Sequence, residues 1–164
     1  MNGLRKPRQV RWPESRDTLR KALLRAGRLM PHEVDERMAP LLVSHKALRE
    51  GVATLQQWAG VASAVAVGLA IEKQGVVRGK REDLRLADFA LRDIKQRSLA
   101  RGAWKPSMLS FEELDDIKEA VEYHRFQLQQ LSAQEYHQAV CKVVGQVTSS
   151  GGTVQDLQSH MEAA

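Results

Sequence analysis

The sequence predicts a soluble all-α protein, a bundle of five or six helices with a buried Ala/Val/Gly-rich helix near its centre. Apolar residues recur three and four positions apart through most of the chain, which is the period of a helix. No segment alternates apolar and polar residues over the length of a strand. With 164 residues and one cysteine, Cys141, the chain fits a single core that needs no disulfide or metal. We therefore expect a basic flexible arm at 1–12, one helical domain at 13–148, and a flexible or short-helix tail at 149–164.

Two helices are predicted before residue 51. Apolar residues at helical spacing indicate a first helix between Pro13 and Arg28. A second helix begins at Pro31, because proline is tolerated in the first turn, and it ends near Gly51. Pro40 lies inside that segment and predicts a kink or two short helices in register. Its apolar face comprises Val34, Met38, Leu41, Leu42 and Leu48.

The segment from Val52 to Ile71 carries no charge and is rich in Ala, Val and Gly. Its length alone would allow it to span a membrane. However, bulky apolar residues are scarce, and Gly60, Ala64 and Gly68 form a stripe of small residues that allows another helix to approach closely. We therefore expect helix 52–73 to be buried within the protein.

Three more helices are predicted after this segment. Residues 79–100 are highly charged but keep an apolar seam at Leu84, Ala87, Leu91 and Ile94. Two capping boxes follow, Ser110 with Glu113 and Ser132 with Glu135, and each predicts the start of a helix. Because one capping residue joins the last two helices, they must turn sharply, as a hairpin or as a corner.

Charge is segregated along the chain. Net formal charge is +7 over residues 1–29, −1 over 30–75, +5 over 76–105 and −6 over 106–164. Two basic segments favour an anionic partner, and nucleic acid is the partner we expect. The aromatic ring beside the basic arm adds a surface that could stack on a base. The candidate nucleic-acid contacts are Arg5, Lys6, Arg8, Arg11, Trp12, Arg16, Arg20 and Lys21, followed by Arg81, Arg85, Arg92 and Lys95.

Other interpretations of the charge pattern stay open at this point. The acidic C-terminal helices could pack beside the basic ones and neutralise them, or they could form the contact face of a protein–protein inhibitor or adaptor of a host machine. Residues 54–75 loosely match a helix-turn-helix, but they lack polar side chains for base edges, so we expect phosphate contacts with little sequence reading. A homodimer could form through the seam 84–94 or through the small-residue stripe.

The sequence contains no complete catalytic or metal-binding motif. His137 and Cys141 lie four residues apart, which is half of a zinc site and a poor geometry for a nucleophile and its base. There is no Glu-x-x-His pair and no phosphate-binding glycine loop. We therefore expect a protein that is not an enzyme and has no cofactor or metal. The basic N-terminus is not followed by an apolar run, which favours a cytoplasmic location and no membrane partner.

The stretch ALREGVAT at 47–54, with Trp58 and Leu69 after it, resembles small helical proteins, mostly uncharacterised, of proteobacterial phages, plasmids and integrated elements. The run from Leu114 through His124 to Leu131 adds to the similarity, which covers about residues 31–147. The resemblance implies an accessory role in a mobile element. It supplies no site residues.

Overall fold

The computed structural model describes residues 26–150 and shows a bundle of five helices within that range. They are α1 (Pro31–Arg49), α2 (Leu55–Gln74), α3 (Arg81–Leu99), α4 (Phe111–Gln130) and α5 (Ala133–Ser149). The described residues contain no strand, only one isolated antiparallel bridge between Arg28 and Ser132. The predicted all-α bundle is therefore confirmed. The predicted helix at 13–28 and the tail lie almost wholly outside the described residues, and the arm at 1–12 lies entirely outside them.

Helix starts follow the capping residues. Ser110 and Ser132 are the N-caps of α4 and α5, and each hydroxyl accepts a hydrogen bond from the backbone N–H three residues later. Thr54 caps α2 in the same way, with Gln57 as the other half of its capping box. Because a capping residue satisfies N–H groups that have no partner within the helix, these sites fix the helix boundaries.

Helix α1 continues through Pro40 as one helix, so the alternative of two short helices is wrong. The prediction that Leu42 lies on the apolar face is also wrong, since Leu42 is 40% exposed. The buried face of α1 advances by three and four residues in turn, and Leu42 falls one position off that face. This face comprises Val34, Met38, Leu41, His45 and Leu48, and Ala47 beside it is also buried.

Helix α2 is the central helix, as predicted. It packs against all four other helices, and every residue from 57 to 72 is buried or half-buried. At Gly68 a Cβ atom would lie 3.1 Å from Gln127 Oε1 and 3.3 Å from a methyl carbon of Leu84, so only glycine allows this approach without a shift. Gln127 Nε2 donates to the Gly68 carbonyl at 3.0 Å. None of the helices among residues 26–150 combines the length and the hydropathy of a transmembrane span.

The seam of α3 and the turn between α4 and α5 complete the core. All four predicted seam residues are at most 1% exposed, so the seam is used within the chain and a homodimer would need another surface. Helix α5 packs mainly on α2, whereas α4 packs on α1, α2 and α3. The last two helices therefore form a corner and not a hairpin. At this corner the Leu29 N–H donates to the Leu131 carbonyl at 2.9 Å.

Candidate nucleic-acid interface

A groove of about 600 Å³ lies between α2, α3 and α5, and it gathers five cationic side chains around one carboxylate. Its floor is apolar and belongs to α2, while α3 and α5 form its two walls. All five cations are exposed, and the three floor residues are half-buried. The floor comprises Ala66, Leu69 and Ala70, and the charged and polar lining comprises Lys73, Arg81, Arg85, Asp88, Arg92, Lys142 and Gln146.

One face of α3 supplies most of this charge. Arg81, Arg85, Asp88 and Arg92 are spaced four, three and four residues apart, so they form a single stripe along the helix. The apolar seam of α3 faces the core, and this orientation turns the charged stripe towards the groove. Three of the four α3 residues predicted to contact nucleic acid thus line one groove.

The fourth, Lys95, continues the stripe beyond the groove. Its ammonium lies 5.1 Å from the centroid of the Trp58 ring, close enough for a cation–π contact. Trp58 is itself fixed, because its indole N–H donates to the Leu91 carbonyl at 2.9 Å and its ring lies 6.0 Å from that of Trp104. Lys95 is exposed but held against this pair of rings.

The guanidinium groups in the groove have only weak partners. Arg85 lies 3.5 Å from Glu82 and Arg92 lies 2.8 Å from Asp88, both on the same helix, and Arg81 forms no ion pair with any described residue. Exposed pairs of this kind contribute about 0.3–0.5 kcal/mol. A phosphate could therefore replace these carboxylates at little cost in folding stability.

The acidic helix α4 neutralises only part of the basic segment. Of the nine Lys and Arg residues in 76–105, two pair with it among the described residues. Lys80 Nζ lies 3.8 Å from Glu119, and Arg97 donates to both carboxylate oxygens of Glu113 at 2.7 and 2.9 Å. Partial burial alone would raise the pKa of Glu113, but hydrogen bonds from Arg97 and Ser110 outweigh it and the pKa is lowered. Neutralisation by α4 is thus real at these two sites, and among the described residues α4 forms no ion pair with the cations of the groove.

Three further residues of this surface were missed by sequence reasoning. Lys73 lies near the end of α2, where Glu72 is the other charged residue of that helix. Lys142 is the one Lys or Arg of α5. Neither belongs to a local cluster, and only the packing of α2, α3 and α5 brings them to the stripe. Phe89 lies on α3 one turn from both Arg85 and Arg92 and is 73% exposed. The available signal was that Phe89 lies off the apolar seam of α3, among charged residues.

A buried carboxylate fixes the start of α3. Glu72 is 8% exposed and accepts hydrogen bonds from the Tyr123 hydroxyl at 2.7 Å, the Lys80 N–H at 2.9 Å and the Gly79 N–H at 3.4 Å. Burial and the neighbouring Glu72 carboxylate raise the pKa of Tyr123. Gly75 ends α2 at φ 88°, a left-handed conformation that favours glycine. This network sets where Arg81, the first residue of α3, enters the groove.

The histidines and the cysteine singled out in the sequence do not form a metal site with other residues of the described range. Cys141 Sγ lies 3.4 Å from His137 Nε2, and both side chains are exposed. His124 is buried in α4. Within the part of the chain that the structure describes, no three His, Cys, Asp or Glu side chains come together as a metal site. The predicted contacts of the arm and first helix lie outside the described residues: Arg5, Lys6, Arg8, Arg11, Trp12, Arg16, Arg20 and Lys21.

Comparison with family models, with curated proteins and with solved structures found no match to this chain. The resemblance to small mobile-element proteins therefore stays a prediction from the sequence.

Proposed function

We propose that this protein is a non-enzymatic accessory protein that binds nucleic acid, alone or in a nucleoprotein complex, through its basic arm and α3. The observation that carries the proposal is that Arg81, Arg85 and Arg92 share one groove and form no ion pair with the acidic helix α4. Guanidinium groups suit phosphate because they donate two parallel hydrogen bonds. The basic segment at 1–29, with its net charge of +7, adds attraction along the chain.

The proposed contacts are to the phosphate backbone. The groove offers exposed Arg and Lys side chains with one Gln around small apolar side chains, and phosphate and sugar receive most of the hydrogen bonds that proteins make to nucleic acid. Binding of this kind depends steeply on salt, because each phosphate that is neutralised releases counterions. We expect a cytoplasmic role in a mobile element and little sequence preference.

The test measures binding of the full chain to fluorescently labelled DNA and RNA by anisotropy as the salt concentration is varied. The variant Arg81→Gln/Arg85→Gln/Arg92→Gln should reduce the log–log salt slope by about two to three, since each contact contributes about 0.7–0.9. The control variant Lys46→Gln/Arg49→Gln/Lys118→Gln removes three exposed cations outside the groove. Its log–log salt slope should differ by less than one from that of the unmodified protein.

The contribution of the arm is measured separately. Neutralising Arg5, Arg8 and Arg11 should weaken DNA binding in a gel-shift assay, because three phosphate contacts are lost. If the intact protein shifts neither DNA nor RNA at low salt, the proposed function is wrong.

One observation favours a second candidate, an inhibitor or adaptor of a host machine that contacts a protein through the acidic helices. Met108 and Phe111 are 75% and 87% exposed at the start of α4, whose first turns carry several carboxylates. Exposed large apolar groups rimmed by charge are typical of protein interfaces. For this candidate, Phe111→Ser should abolish capture of a partner from nuclease-treated host lysate, and capture should change little with salt.

A further inference from the structure

The groove is long enough to follow several phosphates of one strand. Arg81 and Arg92 are eleven residues apart on α3, and at 1.5 Å per residue this gives a length of about 16 Å. Its volume is about 600 Å³, and its cations lie on both sides of an apolar floor. A strand that lies along the groove therefore meets positive charge over its whole length.

Both walls and the floor offer contacts that suit a nucleotide strand. Arg81, Arg85 and Arg92 line one wall and Lys142 lines the other, so a strand lying between them has cations on two sides. The bases of a duplex are paired and stacked on one another, whereas those of a single strand are free to stack on a protein surface. The floor of two alanines and one leucine gives sugars and bases an apolar surface.

An extended acidic peptide is the other occupant that the charge would allow, because arginine clusters also bind acidic motifs. The floor residues Ala66, Leu69 and Ala70 are apolar and would suit either occupant. The charge and the floor therefore do not separate a peptide from a nucleotide strand, and the choice rests on the aromatic ring beside the groove.

An exposed aromatic ring next to the stripe is the independent observation that points to nucleotides. Phe89 is 73% exposed, and it is adjacent to Arg85 and Arg92 on the surface of α3. An apolar ring held in water beside two guanidinium groups has no role in the core. Base stacking on such rings is the usual way in which proteins hold single strands without reading their sequence.

We propose that the groove binds single-stranded nucleic acid in preference to duplex, with Lys142 as the contact from the second wall and Phe89 as a stacking surface at the rim. This inference rests on the proposed function and adds the class of ligand.

The experiment compares the full chain's affinity for a labelled oligothymidine of about 12 nucleotides, a length within known single-strand site sizes, with its affinity for the matched duplex. The single strand should bind at least tenfold more tightly at the same salt. Phe89→Ala should weaken single-strand binding about five- to hundredfold, as loss of one stacked base does. Lys142→Gln should lower the single-strand salt slope by about 0.7.

Matched controls keep a loss of folding from imitating these effects. Leu86→Ala removes an exposed apolar side chain one turn from Phe89, and Lys118→Gln removes an exposed lysine outside the groove. Both controls should bind the single strand within twofold of the unmodified protein, and all variants should keep its helical circular dichroism.

The outcomes distinguish failure of this inference from failure of the proposed function. If the duplex binds as tightly as the single strand, or if Phe89→Ala and Lys142→Gln match their controls, this inference is overturned while the proposed function stands. If neither nucleic acid binds, both fail. If polyglutamate displaces the oligothymidine at a lower concentration than unlabelled oligothymidine does, the groove is a peptide site and the inference is overturned.

Discussion

Replacing the buried Glu72 should destabilise the fold more than any change to an exposed carboxylate. Glu72→Ala removes the acceptor of the Tyr123 hydroxyl and of two backbone N–H groups, those of Gly79 and Lys80. The Tyr123 side chain is half-buried, and its hydroxyl is left without this acceptor. The turn between α2 and α3 also loses the side chain that holds it.

The magnitude follows from the geometry. Two of the three hydrogen bonds, at 2.7 and 2.9 Å, have normal lengths, and the third, at 3.4 Å, is long. Hydrogen bonds to a charged group contribute about 1.5–3 kcal/mol each, and water can replace part of the loss at the turn. We therefore expect Glu72→Ala to lower the free energy of unfolding by about 2–4 kcal/mol. For a domain of this size, that corresponds to a fall in Tm of about 10 °C.

The assay is urea unfolding followed by circular dichroism, with a double-mutant cycle. Tyr123→Phe removes the hydroxyl alone, and its coupling to Glu72→Ala should be about 1–2 kcal/mol, because the two residues share one hydrogen bond. Glu122→Ala is the control, since its side chain is 68% exposed and should change stability by less than about 0.5 kcal/mol.

A coupling of zero between Glu72 and Tyr123 would refute the reasoning, as would a Glu72→Ala effect no larger than that of Glu122→Ala. The pKa of Tyr123 gives a second measure. It is raised by burial and by Glu72, so Glu72→Gln should bring the tyrosinate absorbance transition back towards the ordinary tyrosine value.

Two further predictions concern the packing of α1 and α2. His45 is 9% exposed, and its Nε2 has no hydrogen-bond partner among the described residues. Its pKa is lowered, mainly by burial and also by the positive charge of Arg49. The neutral His45 therefore contributes its full share of the free energy of unfolding above pH 6.5, the pKa of the unfolded state. As the pH falls from 6.5 towards the lowered pKa of the folded state, the free energy of unfolding decreases by at most about 1.4 kcal/mol per pH unit. Urea unfolding at about pH 7.5 and 5.5 should show this loss, and His45→Gln should reduce it; an unchanged difference would contradict the assignment. Gly68→Ala should destabilise by about 1–3 kcal/mol, because its Cβ would meet Gln127 and Leu84. At Gly60 an added Cβ would have only an ordinary 3.5 Å contact with Ser44 Oγ. Gly60→Ala should therefore leave the stability in thermal unfolding unchanged or raise it by up to about 1 kcal/mol. Equal effects of the two substitutions would show that the close approach at Gly68 is not the cause.

Helix positions were predictable because their signals are local. A capping box such as Ser110 with Glu113 satisfies N–H groups within one turn, so four residues suffice to locate the start of a helix. Likewise, the period of the α3 seam fixes which face is buried whatever packs against it. Leu42 was the exception, because neighbouring leucines lie about 100° apart around a helix and only Leu41 falls on the face that the bundle covers. At Pro40 the sequence left two alternatives open, and the structure shows a single helix.

The sequence by itself determined the five helices of the described range, the charge of each segment and the arginine stripe of α3. Only the tertiary structure decided that α5 leaves α4 at a corner and packs on α2. That choice brings Lys142 of α5 to the groove that α2 and α3 line with Lys73 and the arginine stripe. The apolar period of a helix indicates which of its faces is buried. It does not indicate which other helix covers that face, because many helices could bury the same apolar area. The partner of each helix depends on close contacts such as the one at Gly68, which form only between residues distant in the chain.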